Sequence, residues 1–360
     1  MNMTFRSIVV LLFVGACTQS LNDTIAVTTT TSQVQETTTI YTQNENIITN
    51  SSISLATLDN VWKCISPITA YDYQDNTSKI CFVEIEVAED VIKVISTGIP
   101  SRDFKSWYGC CASEQNKTWY LPLYPELSNA GINDVWTFSQ TNSVPIRGAI
   151  AITVEGVAIY GPEDGPGSDA VATDLGIIEE TEQRIELDFC GGHSGPGGEY
   201  HYHYDANCIH WHSDTENDID YTFQKILSSI HSKIVGFAFD GYAIYGSYGF
   251  DQNNEVKEMK SSYALDGEAT GSNGILDYIY IEQLGDLDQC NGHVGYIPES
   301  SEAVYHYHST INNGEGNLGF PYFLYCYRGN PLFEYGGVQV NGGSNALANP
   351  GGNKPPGRNP

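Results

Sequence analysis

Six of the nine histidines in this 360-residue chain fall into two matching modules. The first reads Cys190-Gly-Gly-His193 and then Tyr200-His201-Tyr202-His203; the second reads Cys290-Asn-Gly-His293 and then Tyr305-His306-Tyr307-His308. Each opens on an acid two positions before its cysteine, Asp188 and Asp288. Neutral imidazole is the commonest side-chain ligand for transition metals near neutral pH. A four-histidine or three-histidine-plus-carboxylate cluster suits zinc or copper rather than calcium, which takes an oxygen cage. His201, His203, His306 and His308 are therefore the first candidate ligands, with His193 and His293 as further ligands or as partners that orient them. A metalloenzyme would add an open coordination position and a general base, for which Asp188, Asp240 and Asp288 are the candidates. Whether the chain is an enzyme stays open, because it carries no Ser-His-Asp, glycosidase-pair or dinucleotide signature. The plainer reading makes the tyrosines and histidines half-buried cross-strand pairs and the acids turn or loop-capping groups. Repetition of the whole module favours the metal.

Alternation decides which of these side chains can meet. In an extended strand His201 and His203 share one face and Tyr200 and Tyr202 the other, and the second copy behaves alike. Two such strands facing each other would bring His201, His203, His306 and His308 onto one ion. The repeat begins earlier, as a hairpin: Ala149–Val154, Glu155-Gly156 and Val157–Tyr160 in the first copy, Ile234–Phe239, Asp240-Gly241 and Tyr242–Tyr245 in the second, each with a two-residue turn. Offsets between copies grow along the chain, from 85 (241 minus 156) through 100 (290 minus 190) to 105 (306 minus 201), so insertions sit in the loops. Between the copies, Phe223, Ile226, Leu227 and Ile230 have helical spacing within Asp220–Ile230. The expected fold is mainly β (a β-rich α+β chain), with two hairpin-containing repeats forming one pseudo-two-fold domain and a short inter-repeat helix. Upstream, Phe82–Val87 and Val91–Ile95 alternate as strands around the acidic turn Ala88-Glu-Asp90. Trp107, Trp119 and Trp136 follow, as core or as a sugar-stacking platform. Glycines around His193 lack the spacing and the lysine of a phosphate loop.

Met1–Cys17 has the form of an export signal, with Arg6 ahead of the short apolar run Ile8–Ala16. Val14-Gly-Ala-Cys17 resembles a bacterial lipobox, and the same Gly15-Ala16 suits ordinary signal peptidase; a lipid anchor at Cys17 would be the only membrane attachment. Residues 18–58 are Thr/Ser/Asn-rich and read as a disordered stalk, 59–335 as the folded domain, and 336–360 as a Gly/Asn/Pro-rich disordered tail. Setting Cys17 aside leaves eight cysteines, as a fully bridged exported chain requires. Repeat logic pairs Cys190 with Cys208 and Cys290 with Cys326; the rival use of Cys190 and Cys290 is as thiolate ligands. Asn22, Asn50, Asn76 and Asn116 open glycosylation sequons.

A formal net charge of -28 repels phosphate backbones, which excludes nucleic acid as a natural partner. Leu187–His193, Glu199–His203, His231–Gly246, Leu287–His293 and Tyr305–His308 together resemble the YHYH-domain family, over about Ile95 to Pro331. The resemblance implies an extracellular protein, secreted or held at the cell surface, and the domain limits, but no reaction. Lys233 and Ala243 stand where the family pattern usually has proline, which touches turn rigidity and not the histidines. The expected function is an exported copper- or zinc-binding domain. The alternative is a non-enzymatic adhesion or carbohydrate-binding module that meets an extracellular glycan or protein.

Overall fold

The alternating segments upstream of the repeat pair as their patterns require. A computed structural model of the chain describes residues 54–107, 111–128, 144–145, 148–178, 186–205, 207–210, 229–311, 319–335 and 338–341. Strands β1 (Ile68–Asp72) and β2 (Thr77–Cys81) form a hairpin, and β3 (Val83–Ala88), β4 (Val91–Ser96) and β5 (Lys117–Pro122) form an antiparallel three-stranded sheet. Val83, Ile92 and Val94 are buried while Glu84 and Glu86 lie on the opposite face, so period-two alternation has set the sheet's inner side. Trp119 turns inward: its ring stacks on Phe239 at 5.7 Å and its indole N–H donates to Ser96 Oγ at 3.1 Å. Trp107 lies under the Lys105 ammonium, and Trp136 is outside the described residues.

The repeat supplies the main sheet. Its strands are β6 (Ala149–Thr153), β7 (Ala158–Tyr160), β8 (Gly192–Ser194), β9 (Tyr200–Tyr202), β10 (Ile234–Ala238) and β11 (Ala243–Tyr245). After two small hairpins, β12 (Tyr248–Phe250) with β13 (Val256–Glu258) and β14 (Tyr263–Leu265) with β15 (Tyr278–Tyr280), it is completed by β16 (Gly292–Ile297) and β17 (Ser300–His308). The order is β16-β17-β11-β10-β6-β7-β9-β8. Read outward from the centre, both halves use one scheme: an antiparallel hairpin, a parallel neighbour carrying Tyr-His-Tyr, and an antiparallel edge strand. The two histidine strands, β9 and β17, are therefore not neighbours; four strands lie between them.

Local chemistry explains the hairpins. β6 and β10 are apolar without alternation and buried throughout their central residues, as strands covered on both faces must be. Their turns differ from expectation by one residue. Thr153 accepts from the Gly156 N–H while its own N–H donates to Val157 O, and Ala238, Gly241 and Tyr242 repeat this, giving three-residue loops. Each loop ends on a glycine with φ of +73° (Gly156) or +87° (Gly241), a left-handed position that a type I turn with a bulge requires.

Two boundaries also differ from expectation. The stalk assigned to 18–58 gives way earlier: Ser54 donates to Gly241 O at 3.0 Å, Ala56 is fully buried, and Trp62 donates to Ala56 O at 2.7 Å. The tail assigned from 336 is entered by a hairpin of β18 (Leu332–Tyr335) and β19 (Val338–Asn341). The expected helix over Asp220–Ile230 falls almost wholly outside the described residues; among those described the one α-helix is α1 (Ala170–Asp174), capped by Asp169. The fold is mainly β. Disulfides join Cys64 to Cys81, Cys190 to Cys208 and Cys290 to Cys326, and Cys111 is also bridged, so Cys190 and Cys290 are not thiolate ligands.

At the sheet's centre Gly236 faces Thr153, and a Cβ there would stand 2.3 Å from Ile152 O and 3.0 Å from Thr153 Cα. Both are backbone atoms of the paired strand and cannot rotate away. Gly236→Ala is expected to destabilise the fold by about 1–3 kcal/mol, as overpacking does. Urea unfolding checks this; an unchanged midpoint would show that β6 and β10 are not this close.

Candidate metal centres

The first centre is made by the edge of the sheet. His193 on β8 pairs across the ladder with His201 on β9, and His203 follows one position beyond β9 on the same face. Their ligand nitrogens all lie within 4.8 Å of one another, and the side chains are buried, with 2–6 % exposure. His201 Nδ1 donates to Glu199 O at 3.1 Å and His203 Nδ1 donates to Gly161 O at 3.0 Å. A carbonyl only accepts, so Nδ1 must carry the proton and Nε2 is left as a bare lone pair. His203 Nε2 stands 3.3 Å from His193 Nε2. Two ligands on a tetrahedral ion with bonds of about 2.0–2.1 Å stand about 3.3–3.4 Å apart, so this spacing fits a shared ion without rearrangement. Gly195 flanks the site, where a Cβ would meet His201 Cε1 at 3.2 Å.

The second centre repeats the plan on β16 and β17. His293 pairs with His306 across the ladder, and His308 follows on β17. His306 Nδ1 donates to Val304 O at 3.0 Å and His308 Nδ1 donates to Gly246 O at 2.7 Å, again leaving Nε2 bare. His293 Nε2 lies 3.0 Å from His306 Nε2. His231, just ahead of β10, joins them: its ligand atom lies within 4.8 Å of those of His306 and His308. His231 Nδ1 donates to Ser232 O at 2.8 Å. The Nε2 atoms of His231 and His308 are buried with no hydrogen-bond partner among the described residues. A buried lone pair of this kind is unfavourable unless something electropositive meets it.

Removal from water, reinforced by neighbouring imidazoles for every ring but His203, holds these rings neutral. His193 is pushed down to about 3, and His203 and His293 to about 4. His201, His306 and His308 are driven well below the usual value by burial first and by adjacent histidines second. Neutral rings with free Nε2 atoms are in the ligating form at pH 7.

The tyrosines on the opposite face fix the strands. Tyr200 OH donates to Asp188 Oδ2 at 2.6 Å, and Tyr202 OH donates to Glu155 Oε2 at 3.1 Å. In the second half Tyr305 OH donates to Asp288 Oδ2 at 3.1 Å and Tyr307 OH donates to Asp240 Oδ2 at 2.6 Å. Asp188 and Asp288 also accept from the backbone of their own cysteine loops, Cys190 N and Gly192 N, Cys290 N and Gly292 N. Arg102 and Arg328 supply the compensating charge, 4.0 Å from Asp188 and 3.6 Å from Asp288.

Residues 118–329, more than half of the chain, match a family model described as YHYH protein. The chain belongs to the YHYH protein family. No curated protein and no solved structure matches it. In this YHYH protein all six histidines named from the sequence are brought into centres, but into two, with no ring contact joining one set to the other among the described residues. A single shared ion is ruled out by the sheet order: the expectation that the two histidine strands face each other assumed a pairing that β6, β7, β10 and β11 occupy. Asp188, Asp240 and Asp288 are not placed as bases beside the imidazoles; they hold tyrosines on the other face. Burial pushes their carboxyls up, Asp240 to about 6. His231 escapes a reading of the sequence because it is a lone histidine outside the repeat, with only its place ahead of β10 to mark it.

Two outcomes are expected. Gly249 on β12 packs against the second centre, where a Cβ would stand 2.7 Å from His308 Cε1 and 2.8 Å from its Nε2. Gly249→Ala should displace that imidazole, broadening or shifting its ring resonances by NMR while those of His193, His201 and His203 stay in place; unmoved His308 resonances would contradict the packing. For the metal-free protein, the unfolded chain takes up protons on its histidines below a pH of about 6.5, while the folded state resists to about 3–4. The histidine contribution is thus complete above about 6.5 and is lost as pH falls toward 4. Asp205 and Asp240, raised to about 6, act in the opposite sense and offset part of it. Denaturation at stepped pH should show stability falling from pH 6.5 to 4; a rise over that range would show that the rings are not buried as described.

Proposed function

We propose that this YHYH protein is exported and binds two zinc or copper ions, one in each histidine cluster. The observation that carries the reading is the set of buried imidazoles whose Nδ1 protons are given to backbone carbonyls, leaving Nε2 as the ligand atom, in clusters whose ligand atoms lie within 4.8 Å of one another. An all-nitrogen donor set suits zinc or copper and is poor for calcium or magnesium. Such an ion, when bound, supplies a concentrated positive charge able to acidify water or polarise an oxygen ligand. The protein's own part is positioning. Carbonyls of Glu199, Gly161, Val304 and Gly246 set the tautomers, and the tyrosine-to-acid bonds behind the strands keep the rings from turning away.

Export rests on the signal-like Met1–Cys17 and on disulfides throughout the folded part, the pattern of an oxidising compartment. A lipid at Cys17 would hold the domain at a membrane surface. Among the described residues no helix is long and apolar enough to cross a membrane. The exposed sequon residues Asn76 and Asn116 can carry glycans where the host attaches them.

Elemental analysis of the full chain after equilibration with zinc or copper and removal of loosely held ions tests this. Two equivalents are expected, falling by one in His203→Ala and by one in His308→Ala. His210→Ala should retain both, since the His210 ring is held by Ile234 O outside the clusters. A protein that retains no ion, yet binds glycans, would support the adhesive alternative instead.

A further inference from the structure

We infer that the two centres differ in kind: the second closes on its ion with four imidazoles, whereas the first presents three and leaves one position for a small monodentate ligand, water or an anion of the azide type. This rests on the metal-binding reading above. At the second centre His231 is 5 % exposed, its Nδ1 donates to Ser232 O, and its Nε2 has no partner among the described residues. Its ring centre stands 5.9 Å from that of His306 and 5.6 Å from that of His308. Phe250 at 5.0 Å and the edge-on Tyr245 at 4.8 Å hold the ring in that place. His293 Nε2 lies 3.0 Å from His306 Nε2 and its ring centre 5.2 Å from that of His308, so His306 and His308 each neighbour both His231 and His293. Four nitrogens complete the tetrahedral shell of a closed site.

Among the described residues the first centre has no fourth ring. His231 lies immediately ahead of β10, and its equivalent would lie immediately ahead of β6, yet the chain has no histidine before His193. The tyrosines at the end of each hairpin differ accordingly. Tyr160 lies flat on His201, with centroids 3.8 Å apart and planes at 19°. Tyr245 stands edge-on to His306 at 5.2 Å and donates its hydroxyl to Glu299 at 2.7 Å, which leaves room for His231. Three imidazoles, with neither carboxylate nor thiolate among them, form a site that a zinc-like ion completes with an exogenous ligand. Repetition of the module has thus produced two centres with different capacity for exchange.

The full chain loaded with cobalt(II), whose visible spectrum reports coordination, separates the possibilities when azide is added. Wild type should bind two cobalt ions, with azide altering the spectrum of one. That response should vanish in His203→Ala and persist in His308→Ala. His231→Ala should gain a second azide response, and His212→Ala should leave the wild-type pattern intact. Azide acting on both ions or neither in wild type, a response that survives in His203→Ala, or one changed by His212→Ala would overturn the inference while leaving metal binding in place. Failure to bind any cobalt would overturn both. Should His231→Ala not fold, the wild-type, His203→Ala and His308→Ala spectra decide alone.

Discussion

A buried imidazole whose Nδ1 proton is held by a backbone carbonyl has only an Nε2 lone pair left to offer, and in this protein that lone pair meets the ring of a further histidine. His203 and His193 face each other through Nε2 at 3.3 Å, His306 and His293 at 3.0 Å. The carbonyls of Gly161 and Gly246, at the equivalent ends of the two hairpins, make this choice of tautomer for His203 and His308. Everything else in the repeat serves to hold those rings there. A strand that buries both of its faces needs partners for every polar group on each. The Tyr-His-Tyr-His pattern meets that need by sending histidines toward the centres and tyrosines toward acids.

The tyrosine side explains why hairpins and histidine strands recur together. Glu155 and Asp240 sit in the bulged turns, and each receives the second tyrosine of its half, Tyr202 or Tyr307. Asp188 and Asp288 receive the first tyrosine while tying down the backbone of the Cys-x-x-His loop. The disulfides Cys190–Cys208 and Cys290–Cys326 pin those loops from the other end. A histidine on β8 or β16 is thereby placed against its partner on β9 or β17 by covalent, ionic and ladder constraints at once.

Much of this was legible in the chain. Period-two alternation correctly separated histidines from tyrosines, repeat logic correctly paired four cysteines, and the hairpins fell where β-branched runs flank an acid-glycine pair. Strand order was not legible, because parallel pairing of β7 with β9 and β11 with β17 depends on long connections whose path no local pattern encodes. That is why a convergence of both histidine strands was expected where two centres exist. The acids stay open between general base and turn or loop-capping group in the sequence, because it shows their proximity in number but not which face they take. Ser54–Leu58 continues a Thr/Ser/Asn-rich stretch without apolar periodicity, which hides the single contacts, Ser54 to Gly241 and Ala56 to Trp62, that bind it to the domain.

Anomalous diffraction from crystals of the full chain grown with zinc, recorded on both sides of the zinc absorption edge, addresses the histidine centres most directly. Two strong peaks are expected, one about 2.0–2.1 Å from Nε2 of His203 and the other at the same distance from Nε2 of His308. A single peak joining His203 to His308, or none at either cluster, would contradict a protein built around two separate metal centres.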